Sequence, residues 1–233
     1  MDTLENIPRM VCIVSLGCPK NFVDTEIAAG SLLCRGLGIT ADEDEADIML
    51  INTCAFIDTA RKESVDVIKG AIRWKKRREG RRIVVAGCLV QWKNAAQVRE
   101  KFPEVDLWTG IDSVERMGDM LADLDNSAAP AVAAQPCYIY NEKTSRVLLT
   151  PGHYAYLKIA DGCDNRCSYC SIPNIRGSLR SRSTESVLAE AQNLIDNGTK
   201  ELIIIAQDTT AFRRDKGEKD AAAKLIQGLD KLK

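Results

Sequence analysis

Cys163, Cys167 and Cys170 stand within eight residues, separated by a gap of three residues and then a gap of two. That spacing lets one short loop aim three thiolates at a common point. Thiolates are the ligands of iron–sulfur clusters, and a cubane cluster has four irons. Three cysteines leave one iron without a protein ligand and open to a small molecule, which is an arrangement for chemistry rather than electron storage alone. The competing chemistry is structural zinc, which also takes closely spaced cysteines but needs four protein ligands. The chain's single histidine, His153, lies ten residues before Cys163, and no second pair with C-x-x-C spacing exists.

The elements that must position such a loop follow from the hydrophobic pattern. Met10–Leu16 is an apolar, β-branched run that stops at Gly17-Cys18-Pro19, which predicts a strand ending in a turn. A helical pattern runs from about Val23 to Arg35. Asp47–Ile51 predicts a buried strand ending at Asn52-Thr53-Cys54, followed by a helix over about Thr59–Glu79 with Gly80 as its C-cap. Ile83–Ala86 predicts a third strand ending at Gly87-Cys88, Val105–Trp108 a weaker one, and Val114–Leu124 a helix. Alternating strands and helices predict an α/β fold with a largely parallel sheet. Ligands of such sheets sit beyond the carboxyl ends of the strands. Cys18, Cys54 and Cys88 each follow a different predicted strand, so topology predicts a second three-thiolate site. The alternative is three independently buried cysteines, a common fate of free Cys. Cys12, inside a strand, Cys34, inside a helix, and Cys137, in a connector, are read as non-ligands.

After Asn126–Gln135, a small, Pro-containing stretch without periodicity that reads as a linker, the pattern resumes. Tyr156–Ala160 predicts a strand leading into the cysteine loop, Thr184–Asp196 a helix capped by Ser183 or Thr184, Glu201–Ala206 a buried strand, and Ala221–Lys233 a last helix. Strand–helix–strand–helix is the opening of a β/α barrel, whose reactive loops lie at strand C-terminal ends. Gln207-Asp208-Thr209-Thr210 follows the second strand. It reads either as a ligand contact or as a polar strand end facing water. Two strand–helix units cannot close a barrel, so the chain is expected to be truncated within it.

At 45% hydrophobic and 28% charged residues, the chain falls in the range that builds a packed soluble core. A formal net charge of −1 excludes a global attraction to nucleic acid or an acidic membrane. The basic run Arg73–Arg82 has two readings: a nucleic-acid patch with Trp74 as a stacking residue, or, the preferred one, a solvated helix end. The N-terminal ten residues hold no apolar signal core, and no apolar run approaches membrane-spanning length. Nine cysteines in such a chain point to metal or redox chemistry in a reducing compartment, the cytoplasm.

The loop C-x-x-x-C-x-x-C, with the aromatic Tyr169 before its last cysteine, resembles the signature of the radical S-adenosylmethionine (SAM) enzymes. Ser15–Glu26 (SLGCPKNFVDTE), Ile51–Ser64 (INTCAFIDTARKES) and Val84–Gln91 (VVAGCLVQ) resemble the three cysteine segments of the methylthiotransferase N-terminal domain. Gly17-Cys18-Pro19-Lys20-Asn21 and the run AQDTT resemble the branch that modifies an aspartate on a small-subunit ribosomal protein. The transfer RNA branch tends to show Gly-Cys-Gln-Met-Asn at the first of these. The resemblance implies a methylthiotransferase N-terminal domain over 10–125, a linker over 126–149 and a partial radical SAM domain over 150–233. It implies two 4Fe–4S clusters, one on Cys163, Cys167 and Cys170 with SAM on its open iron, the other on Cys18, Cys54 and Cys88. Tyr169, Gln207, Asp208 and Thr209 are the implied SAM-side residues, and no catalytic side chain is implied beyond the cluster ligands. It further implies a ribosomal-protein substrate and an electron donor such as flavodoxin or ferredoxin, while the near-neutral charge argues against direct nucleic-acid binding. A transfer RNA methylthiotransferase and a non-catalytic iron–sulfur or zinc module remain the alternatives.

Overall fold

The computed structural model describes residues 8–125 and 135–232. Five strands, β1 (Met10–Ser15), β2 (Gly38–Thr40), β3 (Ile48–Thr53), β4 (Arg82–Gly87) and β5 (Leu107–Thr109), form one sheet in the order β2-β1-β3-β4-β5. Every pairing in it is parallel. This is a doubly wound order, whose direction reverses between β1 and β3. Alternation along each strand feeds two cores. Met49, Ile51, Ile83 and Val85 face α2 (Asp58–Lys75) and α3 (Cys88–Gln91). Ile48, Leu50, Val84 and Ala86 face α1 (Pro19–Cys34) and α5 (Met117–Ala122), with Leu32 and Met117 fully buried between them. Between them lie α4 (Ala95–Glu100) and a 3₁₀ turn, Ile111–Arg116, on the way into α5.

The second unit pairs β6 (Tyr154–Lys158) with β9 (Glu201–Ile205) in parallel. Between them run β7 (Ala160–Asp161), α6 (Ile172–Arg176), β8 (Arg180–Ser181) and α7 (Thr184–Asp196), and α8 (Ala221–Leu229) follows. Ser183 caps α7 by accepting a hydrogen bond from the Ser186 amide at 3.1 Å, which is the cap expected from the sequence. Ala155, Leu157, Val187, Ala191 and Leu225 form the core of this unit. β9 pairs with β6 alone among the described residues and its isoleucines are half-buried. No helix among the described residues is long and apolar enough to cross a membrane.

The helix expected over Thr59–Glu79 with Gly80 as its C-cap ends at Lys75, with Lys76 as its cap. Four further expectations need correction. The predicted strand at Val105–Trp108 begins two residues later, at Leu107–Thr109, because the Val105 amide is still turned back onto the Phe102 carbonyl at 3.3 Å. The helix expected over Val114–Leu124 is a 3₁₀ turn followed by the shorter α5. The basic run is not simply solvated. Trp74 is buried and donates to the Glu43 carbonyl at 2.7 Å, and Arg81, 3% exposed, stacks over its ring. Trp74 is therefore closed to a nucleic-acid base. Arg78 and Lys75 are paired with Asp47 and Asp106.

The fourth concerns the linker over 126–149. Residues 126–134 lie outside the described residues, but Gln135–Leu149 is strapped onto α1. The Val147 amide donates to the Glu26 carbonyl at 3.0 Å and the Leu149 amide to Glu26 Oε1 at 2.8 Å, while Tyr140 is buried. Arg146 joins the buried carboxylates of Glu26 and Glu190, each at 2.6 Å. The strap lies so close to α1 that a Cβ on Gly30 would stand 2.5 Å from the Ser145 carbonyl oxygen. Gly30→Ala is expected to cost about 1–3 kcal/mol by overpacking, read from urea denaturation. It is also expected to open Arg146 to trypsin, whereas an unchanged cleavage pattern would mean the strap does not depend on that approach.

Candidate metal centres

Strand register puts three cysteines at one sheet edge. Ser15 pairs with Asn52, and Thr53 pairs with Gly87, so Cys18, Cys54 and Cys88 leave neighbouring strands at nearly the same height. They surround the β1–β3 switch point, where doubly wound sheets take their ligands. Cys54 packs directly on the first turn: a Cβ on Gly17, whose φ is +91°, would lie 2.6 Å from Cys54 Cβ. Only glycine meets both that conformation and that approach without strain. Asn21 ties the loops together, its amide nitrogen donating to the carbonyls of Leu16 at 2.7 Å, Asn52 at 3.2 Å and Thr53 at 3.3 Å. Ser64 clamps Cys54, donating to its carbonyl at 2.8 Å and accepting from its amide at 3.1 Å.

The second cysteine loop follows β7. The Cys163 amide donates to Gly177 at 3.1 Å and the Cys170 amide to Cys167 at 3.0 Å. Asn165 donates to Asp208 at 3.0 Å. The loop folds over the sheet edge, and one cavity of about 570 Å³ is lined by Cys18, Cys54, Cys88, Cys163, Cys167 and Cys170 together. Tyr169 and Gln207 also line it. Asp208 and Thr209 do not: Asp208 faces a neighbouring depression with Cys163, and Thr209 an apolar one with Ile204 and Leu225. Asp208 instead accepts from the Thr210 amide at 3.0 Å, capping a 3₁₀ turn. Tyr169, 89% exposed, stands at the rim. Cys12 is buried in the sheet core, while Cys34 and Cys137 are exposed and outside the cavity lining.

No cysteine is in a disulfide. Among the described residues, no three Cys, His, Asp or Glu side chains converge closely enough to hold one metal ion. A polynuclear cluster takes one thiolate per iron and so accepts donors spread around a wider cavity. The donor set of six reduced thiols on one cavity fits iron–sulfur chemistry.

Sequence reasoning missed the charges beneath this cavity. Arg176, at the end of α6 and 1% exposed, donates to Asp161 Oδ2 and Asp24 Oδ2, each at 2.8 Å, and to Asn21 Oδ1 at 3.2 Å. Its Nη2 also reaches Cys88 Sγ at 3.5 Å. Lys158 is ion-paired with Asp24 and stands 3.4 Å from Asp161. Two acids and two bases thus balance in a buried cluster made from α1, β6, β7 and α6. Burial works against the ionised form of Asp161, but Arg176, Lys158, Arg180 and a hydrogen bond from Gln207 outweigh it and hold that carboxyl well below the usual range. Burial pushes the Cys88 thiol up to about 11, against the pull of Arg176. A bound metal replaces that proton. The one signal in the sequence was Asp24, a charge inside the run that becomes the buried helix α1.

Residues 10–110 match the uncharacterized protein family UPF0004, and residues 157–232 match the radical SAM superfamily. The ribosomal protein uS12 methylthiotransferase RimO of Solibacter usitatus is 42% identical over 222 residues, which are 95% of this chain and 47% of that protein. The protein of the same name from Syntrophus aciditrophicus is 46% identical over 223 residues, 94% of this chain and 49% of the relative. The chain thus spans about half the length of the curated relatives it matches. The radical S-adenosylmethionine methyltransferase TsrM from Kitasatospora setae, solved with tryptophan and a SAM analogue, superposes with a TM-score of 0.58 at 14% identity. The match covers 94% of this chain and 50% of TsrM. At that identity the likeness concerns the fold: a parallel-sheet unit followed by strand–helix units of a β/α barrel.

Proposed function

We propose, from the two family matches and the RimO-type relatives, that the chain is a methylthiotransferase of the radical SAM enzymes and carries the cysteine sites of an enzyme that adds a methylthio group to the β-carbon of an aspartate in a small-subunit ribosomal protein. The observation that carries this reading is the meeting of six cysteines from two units on one cavity. On this reading residues 10–125 and 150–233 are the two units, and 126–149 joins them. Cys163, Cys167 and Cys170 would hold one 4Fe–4S cluster, and Cys18, Cys54 and Cys88 a second. The substrate carbon bears an unactivated C–H bond that acid–base chemistry does not open at neutral pH, so a cofactor must supply the reactivity. When bound, the first cluster supplies the electron for reductive cleavage of SAM, the source of a carbon radical.

The chain's own residues do the holding. The Cys163–Cys170 loop is pinned at its start by Gly177 and beside Cys163 by the Asn165–Asp208 hydrogen bond. Gln207 and Tyr169, which share the cavity with the thiols, would be the residues to meet SAM. Asp208 and Thr209 would act by shaping the loop rather than by contact, since their side chains face other depressions. The electron would come from a flavodoxin- or ferredoxin-type donor in a reducing cytoplasm, where nine cysteines stay reduced.

Anaerobic reconstitution followed by iron and sulfide analysis is expected to find about eight irons per chain, four per three-cysteine site. Mass spectrometry of ribosomal proteins and transfer RNA, from cells with and without the gene, is expected to place the lost methylthio group on a ribosomal-protein aspartate. Loss from a transfer RNA adenosine would move the chain to the other branch, and zinc without sulfide would remove the enzyme reading.

A further inference from the structure

The buried cation beneath the cavity does more than hold two segments together. Arg176 follows Cys170 by six residues and Asp161 precedes Cys163 by two, so both flank the second cysteine loop. Yet Arg176 Nη2 points at Cys88, which belongs to the sheet-edge set. Resting on the cluster assignment above, we propose that Arg176 is a positioning residue that sets the charge around the Cys18, Cys54 and Cys88 cluster, and through it the cluster's reduction potential.

The potential of an iron–sulfur cluster follows its net charge, the hydrogen bonds to its sulfurs and its exposure to solvent. Arg176 supplies a hydrogen bond to a ligand sulfur and a permanent positive charge, and at 1% exposure water screens it little. One-electron reduction by an external donor adds a negative charge to the cluster, so a cation at the sulfur favours the reduced form. The charges around it make a sharp test possible. Arg176 and Lys158 balance Asp24 and Asp161, so the group is neutral as a whole. Removing the arginine charge leaves the group at −1, and removing the Asp161 charge leaves it at +1. The two changes must drive the potential in opposite directions. A purely structural role, in which either change loosens the same contacts, would move it one way only.

The measurement is an EPR-monitored redox titration with dithionite in a background carrying Cys163→Ala, Cys167→Ala and Cys170→Ala, where the sheet-edge cluster is observed alone. Arg176→Met is expected to lower the reduced-to-oxidised ratio at fixed potential at least tenfold, about 59 mV for one electron. Asp161→Asn is expected to raise it by a similar factor, and Arg176→Lys to stay within about threefold of the parent. Shifts of the same sign, or none, in cluster-loaded variants would overturn the role of Arg176. Should Arg176→Met fail to take up iron, Asp161→Asn decides alone: an upward shift supports the proposal and an unmoved potential ends it. A background variant without any iron–sulfur signal would instead sink the assignment of Cys18, Cys54 and Cys88, and this proposal with it.

Discussion

Replacing Asp24 with alanine is expected to lower the stability of the whole chain by about 3–5 kcal/mol, the usual cost of orphaning a buried charge. Asp24 is 4% exposed and takes bonds from both Arg176 and Lys158. Its removal leaves those two cations facing Asp161 alone, in a place water does not reach. The loss should be shared by both units, because the two cations come from β6 and α6 while Asp24 lies on α1. Urea denaturation followed by tryptophan fluorescence checks it, since Trp74, Trp92 and Trp108 all report on the sheet unit. A change below about 1 kcal/mol would mean the cluster is solvated in solution.

The same cluster sets a direction with pH. The Asp161 carboxyl titrates below its ordinary value near 3.8, so its contribution is complete above that value and fades as pH falls toward the lowered one. Acid unfolding therefore draws on this group only at strongly acidic pH. Asp161→Asn should remove that part of the acid dependence while leaving stability between pH 5 and pH 8 without a new slope.

On the cluster assignment proposed above, alanine at Cys167 is expected to remove roughly half of the bound iron, four of about eight atoms, and to abolish any release of 5′-deoxyadenosine from SAM. Alanine at Cys54 is expected to remove the other half while the iron of the first site stays bound. The reason is ligand count: a three-thiolate site reduced to two cannot hold its cubane, and the two sites draw on separate loops. Cys34→Ala and Cys137→Ala serve as controls. Both residues are exposed, and such changes stay within about 0.5 kcal/mol. Of the three cysteines read as non-ligands only Cys12 is buried, and its replacement by alanine should soften the sheet core. The measurements are iron per chain and 5′-deoxyadenosine release. If Cys34→Ala strips iron while Cys54→Ala does not, the strand-end assignment is wrong.

Local pattern carries much of this chain's outline. The apolar runs Met10–Leu16, Asp47–Ile51 and Ile83–Ala86 announce β1, β3 and β4, because parallel strands covered by helices on both faces read as near-continuous apolar runs. A cysteine just past each, joined to the rule that parallel sheets open at their carboxyl ends, was enough to expect Cys18, Cys54 and Cys88 together. The loop Cys163–Cys170 declared itself by spacing. Short elements were not legible: β2 spans three residues and α3 four, too few to show a period, and both are held by neighbours rather than by their own pattern.

Tertiary structure alone decided how the two halves meet. Beyond the compositional linker Asn126–Gln135, the chain up to Leu149 packs on α1, because Glu26 offers a buried carboxylate that Arg146 and the Leu149 amide fill and a carbonyl that accepts from the Val147 amide. It alone brought the two cysteine sets to one cavity, since nothing local in either loop refers to the other. It separated Gln207 from Asp208 and Thr209, neighbours in sequence whose side chains leave the strand end in different directions. And it buried Arg176 under Cys88. A charged residue in a short polar stretch reads as solvated until a fold supplies two carboxylates to receive it, and those came from positions 152 and 15 residues away.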